Sequence, residues 1–198
     1  MTTSNWESNE ATYRQYVAAT SEGPPNRLFD LLDPHLPERG EAIDLGCGTG
    51  RGTLHLASRG LDVTAVDRES EGLDVLRSKL PDASKVRIVQ SSFQDLSLDS
   101  YDVIVACYSL FFLPPSDFSE FWPRVAKAIR SGGIFAGEFL GPHDDWRERG
   151  YTVITEQEVR KLFEGFTVLY FEEEDKDGDT AIGVPKHWHL FHVIARKT

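Results

Sequence analysis

The chain has 198 residues and a formal net charge of −11, from 21 lysines and arginines against 32 aspartates and glutamates. Its size suits one domain, and 40% hydrophobic with 11% aromatic residues exclude wholesale disorder. The acid excess argues against a protein that grips nucleic acid, whose binding depends on neutralising phosphates.

Residues 1–35 read as an N-terminal helical cap. The segment is polar to about residue 23, with aromatics at Trp6, Tyr13 and Tyr16. Glu10 to Ala19 predicts a helix, stopped by Glu22-Gly23-Pro24-Pro25. Asn26 to Leu32 predicts a second helix before Asp33-Pro34. The pattern then alternates. Strands are predicted over Ala42–Leu45, Asp62–Val66, Val86–Val89, Tyr101–Ala106 and Ile134–Phe139. Between them, helices are predicted over Arg51–Arg59, Ser70–Leu80 and Ser116–Ile129, with Gly132-Gly133 as the left-handed turn after the last. Uninterrupted apolar runs such as Val103-Ile104-Val105-Ala106 fit a parallel sheet covered on both faces.

The end of the chain changes character. Thr155-Glu156-Gln157-Glu158 is a capping-box pattern that opens a helix over Glu156–Phe163. Two long strands follow, Phe166–Glu172 and His187–Ala195. Asp177-Gly178 marks the turn between them, and Glu172 to Asp179 reads as a solvated hairpin tip. The expected architecture is a single Rossmann-like, doubly wound α/β domain spanning 1–198. Its sheet is mixed, mostly parallel, and closes on a C-terminal antiparallel strand pair.

The glycines at Gly46, Gly48 and Gly50 follow an apolar strand and precede a helix. This is the place where doubly wound α/β proteins hold nucleotide-like cofactors. Three features sharpen that reading. Asp44 ends the strand as a carboxylate that needs nearby N–H groups or a cationic ligand. Asp67, seventeen residues past Gly50, ends the next strand, where an acid accepts hydrogen bonds from both hydroxyls of a ribose. A dinucleotide fingerprint would need its last glycine at Arg51, so no pyrophosphate site is indicated.

Four stretches in order resemble the class I S-adenosylmethionine (SAM)-dependent methyltransferases: Ile43-Asp44-Leu45-Gly46-Cys47-Gly48-Thr49-Gly50, Ala65-Val66-Asp67, Tyr101 to Ala106, and Arg130-Ser131-Gly132-Gly133-Ile134-Phe135. Within that family, Gly50-Arg51, the chain length and the ending Val193 to Lys197 look like the small tellurite-resistance-type and related small-molecule enzymes. The resemblance implies SAM as cofactor, held by Asp44, Gly46, Cys47, Thr49 and the remaining two glycines, with Asp67 on the ribose and Arg68 beside it. Ser92 stands where the family often has an aspartate facing the adenine, and the N–H of Phe93 is in place to reach the ring. Carbonyls near Gly46 and Cys107 suit the methionine ammonium, and Arg14 or Arg51 its carboxylate.

Methyl transfer from a sulfonium asks for little more than an in-line nucleophile at close range. Tyr108, past the fourth strand, and Tyr13 or Tyr16, folding over from the cap, are candidate walls. Residues 142–155 form a candidate substrate loop at the carboxyl end of the fifth strand, with Trp146 and Arg147 as substrate contacts. His189 is a candidate base near the methyl. Alternation puts His187 and His189 on one strand face, where they read as polar edge residues in preference to metal ligands, so no metal is expected. The expected activity is methyl transfer to a small-molecule acceptor such as an oxyanion or a thiol. Two alternatives share the architecture: a non-catalytic SAM-binding module and, less readily, a nicotinamide-dependent oxidoreductase. Cys47 in the turn and Cys107 at a strand end each have a local role, which fits a reducing compartment. With no basic region ahead of an apolar one at the N-terminus, and no run of about eighteen apolar residues, a cytoplasmic chain with no membrane partner is expected.

Overall fold

The computed structural model describes residues 10–81 and 85–198. Trp6 and the rest of residues 1–9 of the expected cap lie outside the described residues. Helices α1 (Glu10–Thr20) and α2 (Leu28–Leu32) precede an alternation of β1 (Glu41–Leu45), α3 (Arg51–Ser58), β2 (Asp62–Asp67), α4 (Ser70–Lys79), β3 (Val86–Gln90), β4 (Tyr101–Ala106), α5 (Pro115–Ala128) and β5 (Ile129–Leu140). The chain then runs through α6 (Glu156–Leu162), β6 (Phe166–Asp179) and β7 (Pro185–Lys197). All seven strands join one sheet in the order β3-β2-β1-β4-β5-β7-β6. The first five are parallel, and β7 pairs antiparallel with both β5 and β6. This is the expected Rossmann-like mixed sheet.

Strand order reverses between β1 and β4, the topological switch point at which doubly wound folds open a crevice. Both faces of the sheet are covered. Ile43, Leu45, Ile104, Ala106, Phe135 and Phe139 face α5 and α6, where Phe118, Phe121, Trp122, Val125, Val159 and Phe163 pack. The alternate residues Ala42, Val103, Val105, Ile134 and Ala136 face Leu28, Phe29 and Leu32 of α2 and Leu56 of α3. Two-faced burial is why these strands read as continuous apolar runs. Among the described residues, no helix is long and apolar enough to cross a membrane.

The capping box that opens α6 forms as expected: Thr155 Oγ1 accepts from the Glu158 N–H, and the Glu158 carboxylate accepts from the Thr155 N–H at 2.7 Å. Elsewhere the structure corrects the expected boundaries. α2 begins two residues later than expected: Asn26 Oδ1 accepts from the Leu28 N–H at 2.9 Å, a local turn that holds Asn26 ahead of the helix, with Arg27 at its N-cap. Gly132 does take a left-handed φ of +78°, but pairing with β4 already starts at Ile129, across a bulge between Tyr101 and Val103.

The largest correction concerns the C-terminal hairpin. Glu172 to Asp179 is not a tip: these residues pair in register with β7, as far as Asp179 opposite Pro185. The turn lies at Thr180–Val184, where the N–H of Thr180 donates to Val184 O and that of Gly183 to Thr180 O. Asp177-Gly178 therefore carries a turn signal inside a strand. Cross-strand pairs of acidic β6 residues with His187 and His189 outweigh that local preference.

Trp122 is 6% exposed and meets Phe118, Phe135, Phe139 and Phe163 at ring-centroid distances of 5.2–6.2 Å. Truncating such a side chain leaves a cavity that the sheet cannot collapse. Trp122→Ala is expected to cost about 3–5 kcal/mol of folding stability, read from the shift in a urea unfolding midpoint.

Candidate functional site: a cleft at the switch point

The turn after β1 is drawn toward β2. The N–H groups of Gly46 and Cys47 both donate to Val66 O, at 2.8 and 2.9 Å, and that of Gly48 donates to Asp67 Oδ2 at 2.8 Å. Gly46 has a φ of +76°, and a Cβ there would fall 2.4 Å from the Ser109 Cβ, so this position admits only glycine. The turn after β4 is drawn the other way. Tyr108, the only non-glycine among the described residues with a positive φ (50°), donates its N–H to Glu138 Oε2 on β5 at 3.1 Å. Such a strained backbone persists only where its surroundings over-determine it. Ser109 Oγ donates to Leu45 O at 2.6 Å and closes the floor between the two turns.

Between them lie two adjoining cavities. The larger, about 730 Å³, is lined by Tyr13, Tyr16, Gly46, Asp67, Arg68, Ser92, Phe93, Cys107 and Tyr108, among others. The smaller, about 310 Å³, shares Tyr16, Gly46, Cys107 and Tyr108 and adds Asp44, Cys47, Thr49 and Arg51. The structure thus gathers ten of the twelve residues expected to hold a cofactor on these walls. Gly48 and Gly50 shape the turn behind them, Gly48 through its bond to Asp67. Arg14, the other expected carboxylate partner, borders the larger cavity and pairs with Glu71 at 2.9 Å.

α1 covers this cleft. Thr49 Oγ1 donates to Thr20 O at 2.6 Å, and Lys79 Nζ bonds to Ser21 O, so the end of α1 is tied both to the glycine turn and to α4. Tyr13 and Tyr16 thereby become walls. Burial pushes the phenols of Tyr13, Tyr16 and Tyr108 up, helped at Tyr13 by Asp67 and at Tyr108 by Glu138. Burial also pushes up the thiols of Cys47 and Cys107, so all five groups stay protonated near neutrality.

Three expected substrate contacts lie elsewhere. Trp146 packs against Phe111, Phe112, Tyr151 and Trp188 and lies 3.9 Å from Lys186 Nζ, with Lys186 itself paired to the fully buried Asp144. Arg147 reaches back to Asp144 O and Glu148. His189 is 2% exposed and turned toward His143, Glu173 and Phe191, away from the cleft. From the same loop it is Arg149, Gly150 and Tyr151 that reach the larger cavity, with Phe112, Leu113 and Pro114. Glu138, Asn26 and Arg149 carried no signal, because their positions depend on tertiary contacts.

Asp67 and Asp44 dominate the electrostatics. Asp67 accepts from the N–H groups of Gly48 and Glu69, the second at 3.0 Å, while burial raises its pKa against those bonds. Asp44 is 4% exposed and accepts from Thr53 Oγ1 at 2.7 Å; burial holds it at about 6. Its ionised form therefore gains from a cation in the adjoining cavity.

A doubly wound sheet with a capped, acid-flanked cleft at its switch point defines the class of proteins that hold nucleotide-like cofactors. A family model described as a methyltransferase domain matches residues 42–133. The chain is 36% identical over 120 residues to an uncharacterised methyltransferase of Mycobacterium bovis, covering 59% of this chain and 47% of that protein. It is 30% identical over 159 residues to the trans-aconitate 2-methyltransferase of Deinococcus radiodurans, covering 80% and 59%. Among solved structures, TehB from Haemophilus influenzae superposes with a TM-score of 0.74 at 19% identity, covering 86% of this chain and 61% of that one. The chain spans about half the length of the curated relatives it matches. Residues 42–133 thus match the methyltransferase-domain family, and the chain is similar to methyltransferases whose methyl donor is SAM. The donor set fits that cofactor: an acid at the end of β2 for ribose hydroxyls, buried carboxylate charge for a cationic ligand, and aromatic walls.

Free aspartate titrates near ~3.9. Between that value and about 6 the folded chain binds more protons than the unfolded chain at Asp44, so this group makes the fold lose stability as pH rises through that window. A cationic ligand favours the ionised form. SAM affinity is expected to rise as pH is raised through about 6, and Asp44→Asn to flatten that component, both read by calorimetric titration across the window.

Proposed function

We propose that the chain transfers the methyl group of SAM to a small-molecule acceptor at this cleft. The observation that carries the reading is Asp67 at the carboxyl end of β2, hydrogen-bonded to Gly48 of the glycine turn and facing the 730 Å³ cavity. A hydroxyl pair brought to that carboxylate gains charge-assisted bonds, which are stronger than neutral ones. SAM, when bound, supplies an activated methyl on a positively charged sulfur.

The remaining work falls to the chain. Asp67 orients the ribose, Phe93 and Ser92 border the adenine, and Arg68 stands beside them. Asp44, behind the glycine turn, favours positive charge in the smaller cavity, where Gly46, Cys47, Thr49 and Arg51 meet the methionine part. Tyr16 and Tyr108 wall the junction of the two cavities, Tyr13 walls the larger one, and together they exclude water. Their protonated phenols donate hydrogen bonds and do not serve as bases. An acceptor that arrives as an anion needs no base.

The described part of the cap closes over the cleft, and the outer part of the larger cavity, between Phe112 to Pro114 and Arg149 to Tyr151, takes the acceptor. Its mixed apolar and charged lining suits a small organic molecule. The resemblance to a trans-aconitate 2-methyltransferase supports an acceptor of that size class.

Asp67→Ala is expected to weaken SAM roughly a hundredfold or more, since each hydrogen bond to a charged group contributes about 1.5–3 kcal/mol. Calorimetry with SAM, and with NADH as comparison ligand, reads the effect, and a melting curve checks that the fold persists. Unchanged SAM affinity in a folded variant, or tighter binding of NADH than of SAM by the parent chain, sinks the reading.

A further inference from the structure

The C-terminal hairpin carries a side-chain cluster that the cleft does not use. His143, in the loop after β5, Asp175 of β6 and His189 of β7 place three donor atoms within 4.8 Å of one another, and this is the only such group among the described residues. We propose that these three residues form a binding site for a zinc-class divalent transition cation. The inference is independent of the methyltransferase reading.

The hydrogen bonds assign the donor atoms. The backbone N–H of His143 donates to His189 Nδ1 at 3.0 Å, so Nδ1 bears a lone pair and no proton. The proton is then on Nε2, which donates to Glu173 Oε1 at 2.9 Å. A histidine whose far N–H rests on a carboxylate is the arrangement that orients metal ligands and raises their basicity. Asp175 is supported in the same way. Its Oδ2 meets His143 Nδ1 at 2.7 Å, while its other oxygen is held by His187 Nε2 at 2.6 Å, and His187 Nδ1 in turn meets Asp177 at 2.8 Å. The candidate ligands are thus His143 Nδ1, Asp175 Oδ2 and His189 Nδ1, with Glu173 and His187 holding them from behind.

The backbone is shaped to this cluster. Asp175 and His189 are directly opposed in the β6–β7 register. A Cβ on residue 141 would fall 2.5 Å from His189 Nδ1, so Gly141 leaves the room in which the ring lies. The Gly141 N–H donates to His189 O at 2.7 Å and starts the loop that brings His143 over the ring, stacked at a centroid distance of 4.7 Å. His143 and Asp175 are exposed and His189 is buried, which gives a cation an entry path and one rigid ligand.

Two imidazole nitrogens and one carboxylate select a borderline cation such as zinc over magnesium or calcium, which prefer all-oxygen sets. Zinc–nitrogen bonds of about 2.0–2.1 Å require the donors to draw together, which rotation of the exposed His143 ring achieves. The cation takes the place of the proton shared by His143 and Asp175, and water takes up the His143 N–H released from His189. Once bound, it clips the loop that carries Asp144 to Arg149 onto the hairpin.

The test titrates zinc chloride into the full chain, freed of any histidine tag and stripped with chelator, by calorimetry. One saturable site is expected, weakened about tenfold or more in His143→Ala and in Asp175→Asn, and retained in His35→Ala as the surface-histidine control. Both exposed positions can be changed without emptying the core, and a melting curve of each variant confirms folding. Zinc should raise the melting temperature of the parent and not of His143→Ala. No saturable binding by the parent, or equal binding by folded His143→Ala and Asp175→Asn, overturns the proposal. SAM affinity measured on the same samples stays independent of either result.

Discussion

The structure depends on two turns pulled apart at one point of the sheet. Where strand order reverses, the chain leaving β1 bonds to the end of β2, through Val66 O and Asp67. The chain leaving β4 bonds to β5 through Glu138. Neither turn can close the gap without giving up hydrogen bonds that buried backbone groups require. The cleft is therefore a consequence of backbone hydrogen-bond satisfaction. One side of it ends in Asp67, half-buried on the cavity wall, and the other in the buried Glu138. Glu138, fully buried, also accepts from Asn26 at 2.5 Å, which ties the segment ahead of α2 to the same edge.

The C-terminal hairpin is held by a second buried device. Lys186 and Asp144 pair almost entirely out of water, and the ammonium lies 3.9 Å from the ring of Trp146 and 3.7 Å from that of Trp188. Desolvation lowers the Lys186 pKa, while Asp144, the two ring faces and the bonds from the Trp146 and His189 N–H groups to Asp144 offset its cost. Trp188 then reaches Tyr108 at a centroid distance of 5.8 Å. The hairpin thus stiffens the turn that forms one wall of the cleft.

Much of this was legible in the chain. The apolar runs named the strands, and Gly46 to Gly50 with Asp44 and Asp67 named the cofactor side, because close backbone approach and a strand-end carboxylate leave local residue signatures. Thr155 and Glu158 announced their capping box for the same reason. The far wall of the cleft was less legible. Trp146, Arg147 and His189 have residue types suited to contact or catalysis, but packing turns them into the hairpin. Arg149, Gly150 and Tyr151, unremarkable in sequence, form the wall instead. The Asp177-Gly178 turn signal lost to a longer strand pairing, since cross-strand partners contribute more than one dipeptide's preference.

The sequence by itself determined what is local: element types, their alternation, the glycine turn, and the two acids near the carboxyl ends of β1 and β2. These follow from periodicity, steric freedom at glycine and the cost of burying a carboxylate, each readable within a few residues. Only the tertiary structure decided what lies across the cleft, where the hairpin turns, and that His143, Asp175 and His189 meet. Those outcomes depend on strand register and on loops folding over distant side chains, and sequence separations of 14 to 46 residues leave no local trace.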